Sequence, residues 1–121
     1  MSNSSYQARV KQWLAACFPQ SVRSNRRERT YRFLEEALEL AQANGCSRAD
    51  AQALVEYVYS RPVGLPELEV GGVMVTLASL CAATSIDMTE AGDRELQRNW
   101  ERIETIRRKQ ACKPHGSPLP Q

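Results

Sequence analysis

The chain has 121 residues, which suffice for one domain with a modest hydrophobic core but not for two. Its hydrophobic content of 42% is ordinary for a soluble protein, and its net charge of +2 is too small to indicate nucleic-acid binding by itself. The N-terminus is polar, and the apolar run Val73–Ala83 is shorter than the roughly 18–20 residues that cross a bilayer. We therefore expect a cytoplasmic protein with no membrane partner, and nucleic acid is not an expected partner.

The four cysteines and the single histidine give no sign of a metal cluster. Cys17, Cys46, Cys81 and Cys112 are far apart in sequence and form no CxxC pair, and His115 stands alone in a polar tail. Zinc sites typically bring such residues together at short spacings. We expect free thiols, as is usual in a reducing cytoplasm.

The first half of the chain predicts two helices with clear ends. Residues 5–18 carry apolar side chains at helical spacing, and Pro19 stops that helix. Ser24 or Asn25 can cap the next helix, which continues to the residue before Gly45, a typical glycine just past a helix end.

The middle of the chain predicts two more helices around a loop. Ser47 and Asp50 form a variant capping box for a helix that continues to about Ser60. Two prolines and a glycine make residues 61–66 a loop. Residues 67–84 form a helix whose stretch from residue 70 onward has almost no charge, so we expect it to be buried on most sides.

The last predicted helix is capped by Thr89 and continues to about Ala111, before an extended, proline-rich tail over residues 112–121. The sequence therefore predicts one all-α domain over residues 1–111, a bundle of about five helices without strands. Thin amphipathic helices close only a small core, so we expect homo-oligomerisation to complete the bundle.

Three carboxylates share one face of the second predicted helix. Glu35 and Glu39 are spaced i,i+4, and Glu36 and Glu39 are spaced i,i+3. Such like charges repel by a few tenths of a kcal/mol per pair, roughly, and a divalent cation would remove that repulsion. Leu34 and Leu38 lie beside them, so this acidic face is expected to border the core. The alternative is a solvated acidic surface.

A fourth carboxylate, Glu69, opens the apolar helix and needs a partner such as the helix dipole or a metal. Gly71 and Gly72 follow it, although each glycine costs a helix about 0.8–1.0 kcal/mol relative to alanine. Their presence suggests close approach of another backbone or a ligand; simple helix packing is the alternative.

These motifs together resemble a known family. Glu35-Glu-x-x-Glu39, followed by Glu69-x-x-Gly72 and a long apolar helix, is similar to the EExxE and ExxD signature of the MazG-like all-α nucleoside triphosphate pyrophosphohydrolases. Ser85-Ile-Asp-Met and Arg98-Asn-Trp-Glu-Arg102 resemble later parts of that pattern. Residues 61–64, 69–77 and 113–120 look closer still to a branch of dATP/dGTP pyrophosphohydrolases from phages and bacteria, which includes the MazZ-type enzymes.

The resemblance implies a homodimer or dimer of dimers that converts a purine deoxynucleoside triphosphate to the monophosphate and pyrophosphate. Attack would occur at the α-phosphorus. Glu36, Glu39 and Glu69 would hold Mg²⁺, or Mn²⁺, on the phosphates, and Glu35 would position or deprotonate the attacking water or ligate a second ion. A phage-encoded enzyme would act in the host cytoplasm.

One departure from the family pattern is Gly72, which stands where the aspartate of ExxD is expected. Water could take the vacant coordination position, since Mg²⁺ keeps several waters. A carboxylate from elsewhere could replace it, the candidates being Glu56, Glu67, Asp50 and Asp87. A decayed site would leave a non-catalytic helical interaction module.

The substrate-binding candidates lie near the two ends of the chain. Arg98 and Arg102 are one turn apart on the last predicted helix, with Asn99 beside them and Lys109 further along. Arginine forks suit triphosphate oxygens, and asparagine can bind a base edge or a sugar hydroxyl. Trp13 could stack on a purine. The alternatives are a salt-bridged surface for the last helix and core packing for the tryptophan.

Overall fold

The computed structural model describes residues 5–112 and 117–119, and every regular element within these ranges is an α-helix. The all-α prediction is therefore confirmed. The described helices are α1 (Tyr6–Cys17), α2 (Gln20–Arg23), α3 (Arg26–Ala43), α4 (Arg48–Tyr59), α5 (Pro66–Ala83), α6 (Met88–Glu101) and α7 (Ile103–Cys112).

Seven helices in this part of the chain replace the predicted five. Pro19 stops α1 as expected, but the residues after it form the single turn of α2. The last predicted helix is interrupted at Arg102, although helical hydrogen bonds continue across the interruption: Arg102 N donates to Arg98 O at 3.1 Å and Ile106 N to Arg102 O at 3.0 Å. The helices α6 and α7 are thus nearly continuous.

Short polar side chains start three of the helices, and the sequence predicts two of these caps, Asn25 and Ser47. Ser5, Asn25 and Ser47 each accept, through a side-chain oxygen, the backbone N–H three residues later at 3.1 Å. These bonds satisfy donors that a helix start otherwise leaves without a partner. The predicted cap at Thr89 is wrong, because α6 already begins at Met88.

Two helices end in the same left-handed turn. Gly45 has a φ of 86°, and the following N–H, from Cys46, donates to Ala41 O at 3.0 Å. Ser85 takes the corresponding place after α5 with a φ of 58°, and the N–H of the next residue donates back into the helix at 2.9 Å. Glycine adopts this conformation without strain, whereas serine at the same place is strained.

The sequence suggested one domain, and the chain divides into two compact units: residues 1–33 with 89–121, and residues 34–88. In the first unit α1 packs against α7 and α2, and its core contains Cys17, Phe18 and Leu96. Of the predicted tail, Cys112 is instead the last residue of α7, and residues 117–119 are described and form no helix.

The second unit contains the rest of α3 together with α4 and α5, and no residue of α4 or α5 is buried. The expectation that α5 is buried on most sides is therefore wrong for a single copy of the chain. Leu77 and Leu80 are half-buried, but Val70 is 60% exposed and Val75 is 69% exposed. The described residues therefore leave most of the apolar side chains of α5 uncovered.

The length of α5 also exceeds the apolar run noted in the sequence. With the turn from Pro66 onward included, α5 has 18 residues and is long and apolar enough, by length and composition only, to cross a membrane. Two carboxylates, Glu67 and Glu69, lie in its first turn. Soluble core helices meet the same criterion, so this feature alone decides nothing about location.

Candidate functional site

The acidic cluster of α3 is placed by the two ends of that helix. The Asn25 cap and the Gly45 turn fix the helix from Arg26 to Ala43, and Glu35, Glu36 and Glu39 all lie within it. Their i,i+3 and i,i+4 spacings therefore put the three carboxylates on one face. Glu35 is half-buried, and the other two are exposed.

The apolar residues beside this face do not carry it into a core. Leu34 is 50% exposed and Leu38 is 46% exposed, so the predicted border with the core is wrong for the single chain. Sequence periodicity identifies the apolar side of a helix, but it does not show whether another element covers that side.

The carboxylate of Glu69 folds back over the loop that precedes α5. Pro66 occupies the first helical position, where a missing N–H costs nothing, and Glu69 N donates to Leu65 O at 3.0 Å. A Cβ added to Gly64 would lie 3.1 Å from Glu69 Cδ and would overlap its Oε2 atom. Glycine at position 64 is therefore what allows the carboxylate to lie there.

Gly71 and Gly72 have open space around them. A Cβ added to either glycine would meet no atom within 4 Å in the described chain. The interpretation that they permit close approach of another backbone is therefore not supported within one copy of this chain. Gly72 leaves the α5 face without an aspartate, and nothing in the second unit fills that space.

The carboxylates that could compensate for Gly72 are spread over three segments. Asp50 and Glu56 lie on α4, Glu67 lies in the first turn of α5, and Asp87 directly precedes α6. Carboxylate oxygens are the donors that Mg²⁺ prefers. Even so, the ranges 5–112 and 117–119 contain no group of three His, Cys, Asp or Glu residues arranged to hold a metal ion. The donor chemistry fits Mg²⁺, but the described part of a single chain does not assemble a complete set of ligands.

The substrate-binding candidates all belong to the first unit. Arg98 donates through Nε to Glu95 Oε1 at 3.1 Å, and Arg102 makes only a weak bond to Asn99 Oδ1 at 3.5 Å. Asn99 is half-buried, while Lys109 is exposed. The exposed arginine pair is available to an anion, although Arg98 would first have to leave its carboxylate.

Trp13 packs against the core of the first unit. Its ring meets the Phe18 ring edge to face, with centroids 5.7 Å apart, and its buried indole N–H has no hydrogen-bond partner in the described part of the chain. Such packing is the ordinary role for a half-buried tryptophan. It supports the core alternative over purine stacking.

Sequence reasoning did not predict that cations from two distant segments meet at the C-terminal end of α1. The Arg29 guanidinium lies 5.5 Å from the centre of the Phe18 ring, and Arg107 donates through Nη2 to Ala16 O. Both arginines lie beside the buried Cys17 thiol, whose pKa burial raises and the two guanidinium groups lower. A count of charges along the sequence shows that both segments are basic, but it does not show that they meet.

Comparison with protein-family models, with curated proteins and with solved structures finds no match to this chain. The MazG-like resemblance therefore stays a prediction.

Proposed function

We propose that this chain is a metal-dependent deoxynucleoside triphosphate pyrophosphohydrolase that acts on dATP or dGTP, with a MazG-like helical fold. The supporting observation is the excess of carboxylates in the second unit. Residues 34–88 contain eight acidic and two basic side chains, and three of the acidic ones share one face of α3. An acidic surface of this density favours a divalent cation.

The carboxylates have two roles in this proposal. Glu36, Glu39 and Glu69 would hold Mg²⁺ or Mn²⁺, which would neutralise the phosphates and orient an in-line attack on the α-phosphorus. Glu35, which is half-buried, would position the attacking water or accept its proton. The absence of a side chain at Gly64 leaves room for the Glu69 carboxylate over the loop, so Gly64 would act as a positioning residue.

Exposed cations along α6 and α7 would contact the substrate phosphates. Arg98 and Arg102 would contact the triphosphate through their guanidinium forks, with Lys109 as a further charge. Asn99 would contact the base or the sugar. Trp13 is the weakest member of this group because it packs on Phe18.

A second copy of the chain is the proposed cover for the apolar faces of the second unit. Sixteen of the twenty large hydrophobic residues exposed in the described chain lie between positions 34 and 88. At about 100 Å² each they expose roughly 1,600 Å² in total, spread over α3, α4, α5 and the segments on either side of α5. A standard interface buries about 800 Å² per partner, which is only about half of this surface, whereas obligate homodimers bury about 1,000–2,500 Å² per partner, so a homodimer of the obligate class would cover it.

Light scattering with size-exclusion chromatography tests the dimer. A dimer at micromolar concentration is the expected result. A stable monomer, or flotation of the chain with neutral lipid vesicles through the apolar helix α5, would contradict it.

A panel of nucleotides tests the activity. The full chain is incubated with each dNTP and NTP in Mg²⁺ and in Mn²⁺, and pyrophosphate is assayed separately from orthophosphate. We expect pyrophosphate release from dATP and dGTP. A panel with no release in either metal would contradict the enzyme, as would release of orthophosphate alone.

A non-catalytic helical interaction module is the second candidate. Two observations favour it: Gly72 leaves the pattern without its aspartate, and the exposed apolar faces of α4 and α5 could bind a different protein. An inactive chain that is nevertheless a well-folded dimer would support this alternative.

A further inference from the structure

The net charge of +2 is the sum of two opposite charges. Residues 1–33 and 89–121 contain fourteen basic and six acidic side chains, a net charge of +8, whereas residues 34–88 have a net charge of −6. Eleven of the fourteen basic residues are arginines. The low overall charge that argued against a nucleic-acid partner therefore hides a strongly basic first unit.

The six carboxylates of the first unit already have partners. The pairs are Arg9 with Asp93, Arg29 and Arg32 with Glu28, Arg94 with Glu90, Arg98 with Glu95, and Arg107 with Glu104, while Glu101 accepts a bond from Gln97. Several basic side chains then have no carboxylate partner within the described ranges. They are Lys11, Arg23, Arg26, Arg27, Arg102, Arg108 and Lys109.

Part of this positive charge converges at the C-terminal end of α1. Arg29, from α3, covers the Phe18 ring, and Arg107, from α7, donates to a carbonyl at the end of α1. Arg26 is three residues before Arg29 and shares its face of α3, whereas Arg108 directly follows Arg107. The basic patch, defined as Arg26, Arg27, Arg29, Arg107 and Arg108, thus joins two helices that are distant in sequence.

The patch contains a cation whose neutralisation is incomplete. Arg29 Nη2 is 3.9 Å from Glu28 Oε1, and Arg32 Nε is 3.4 Å from the same oxygen, so two guanidinium groups share one carboxylate. Arg29 Nε is buried and has no hydrogen-bond partner among the described residues. Burial lowers the pKa of Arg29 and the neighbouring Arg32 lowers it further, against the opposing effect of Glu28. A further anion at this place would relieve that cost.

We propose that the basic patch binds the phosphate backbone of a nucleic acid. Guanidinium groups bind phosphate oxygens in pairs, and the arginine-rich composition of the first unit suits that geometry. An anionic membrane is the less suitable partner, because insertion needs exposed apolar residues and most of these lie in the acidic second unit. The proposal is independent of the hydrolase, since Arg26, Arg27 and Arg108 have no assigned role in that reaction.

Fluorescence anisotropy with labelled DNA tests the proposal. The full chain is titrated onto single-stranded and duplex oligonucleotides of about 20 nucleotides, at salt concentrations between about 50 and 200 mM. The double variant R26Q/R27Q is compared with R48Q/R61Q, which removes the two basic residues of the second unit. Both pairs remove two positive charges, so the overall charge changes equally.

The expected result is salt-sensitive binding that R26Q/R27Q weakens and R48Q/R61Q leaves unchanged. Each lost phosphate contact lowers the slope of log K against log salt by about 0.9, so R26Q/R27Q should lower it by about 2 for a duplex. Circular dichroism checks the fold, which should persist because Arg26 and Arg27 are exposed in the first turn of α3.

Equal weakening by the two double variants, or no DNA binding by the unmodified chain, would overturn the proposal. Equal competition by anionic lipid vesicles would overturn the choice of nucleic acid. Pyrophosphate release is assayed on the same samples. Pyrophosphate release without DNA binding would mean that only the nucleic-acid proposal has failed, and DNA binding without pyrophosphate release would mean that only the hydrolase proposal has failed.

Discussion

Neutralising Glu39 should abolish activity and slightly stabilise the protein. Glu39 is exposed on α3, and no hydrogen bond or ion pair in the described ranges uses its carboxylate. The change to glutamine removes two repulsive pairs, with Glu35 at i,i+4 and with Glu36 at i,i+3. At about 0.2–0.5 kcal/mol per pair, the free energy of unfolding should rise by about 0.4–1 kcal/mol at low salt.

Urea unfolding at pH 7 measures the stability gain, which should shrink at high salt because exposed charges are screened. Pyrophosphate release from dATP or dGTP at saturating Mg²⁺ should fall more than about 100-fold, since a metal ligand is lost. The matched control is Glu101→Gln on α6, which is also exposed and should change neither quantity appreciably. A Glu39→Gln variant that keeps most of its activity would refute the metal role, and one that loses stability would refute the repulsion.

Four other substitutions or measurements test the site and the fold. Gly72→Asp should change the free energy of unfolding by less than about 0.5 kcal/mol, because its Cβ meets nothing within 4 Å, and should tighten Mg²⁺ binding measured by calorimetry. A larger loss of stability would show that the second copy approaches α5 closely at Gly72, and unchanged Mg²⁺ affinity would argue against a metal beside this position. Gly64→Ala should lower pyrophosphate release with little change in stability, since its Cβ overlaps the Glu69 carboxylate, and unchanged kinetics would argue against the positioning role. Ser85→Gly should raise the free energy of unfolding by about 0.5–1 kcal/mol in urea by removing the strain at φ 58°, and a destabilised variant would contradict that. Burial raises the pKa of the Cys17 thiol above its ordinary 9.0, so the contribution of the protonated thiol to stability is complete below pH 9.0 and is lost as pH rises through the folded pKa. The free energy of unfolding of Cys17→Ala should therefore decline less steeply at alkaline pH than that of the unmodified chain, and equal declines would contradict the shift.

Helix ends were predictable from the sequence because their signals are local. The side chains of Asn25 and Ser47 each accept a hydrogen bond from a backbone N–H three residues away. Gly45 ends its helix because glycine adopts a positive φ without strain. Thr89 was misplaced because the structure starts α6 one residue earlier, at Met88, and side-chain chemistry alone does not select between neighbouring starts.

The common face of Glu35, Glu36 and Glu39 was also determined by sequence, because helical spacing alone puts them together. Whether that face and the apolar α5 are covered was not. Burial depends on which elements pack against a surface, and the single chain leaves Leu34 half exposed and Val75 mostly exposed.

Only the tertiary structure brought Arg29 and Arg107 to the same end of α1, across 78 positions of sequence. Only it revealed that Glu69 lies over Gly64 and that Gly72 faces open space. Sequence determines the periodicity of each helix through short-range hydrogen bonds and side-chain spacing. The convergence of distant charges depends on packing between helices, because contacts between residues far apart in sequence form only when the helices pack against each other.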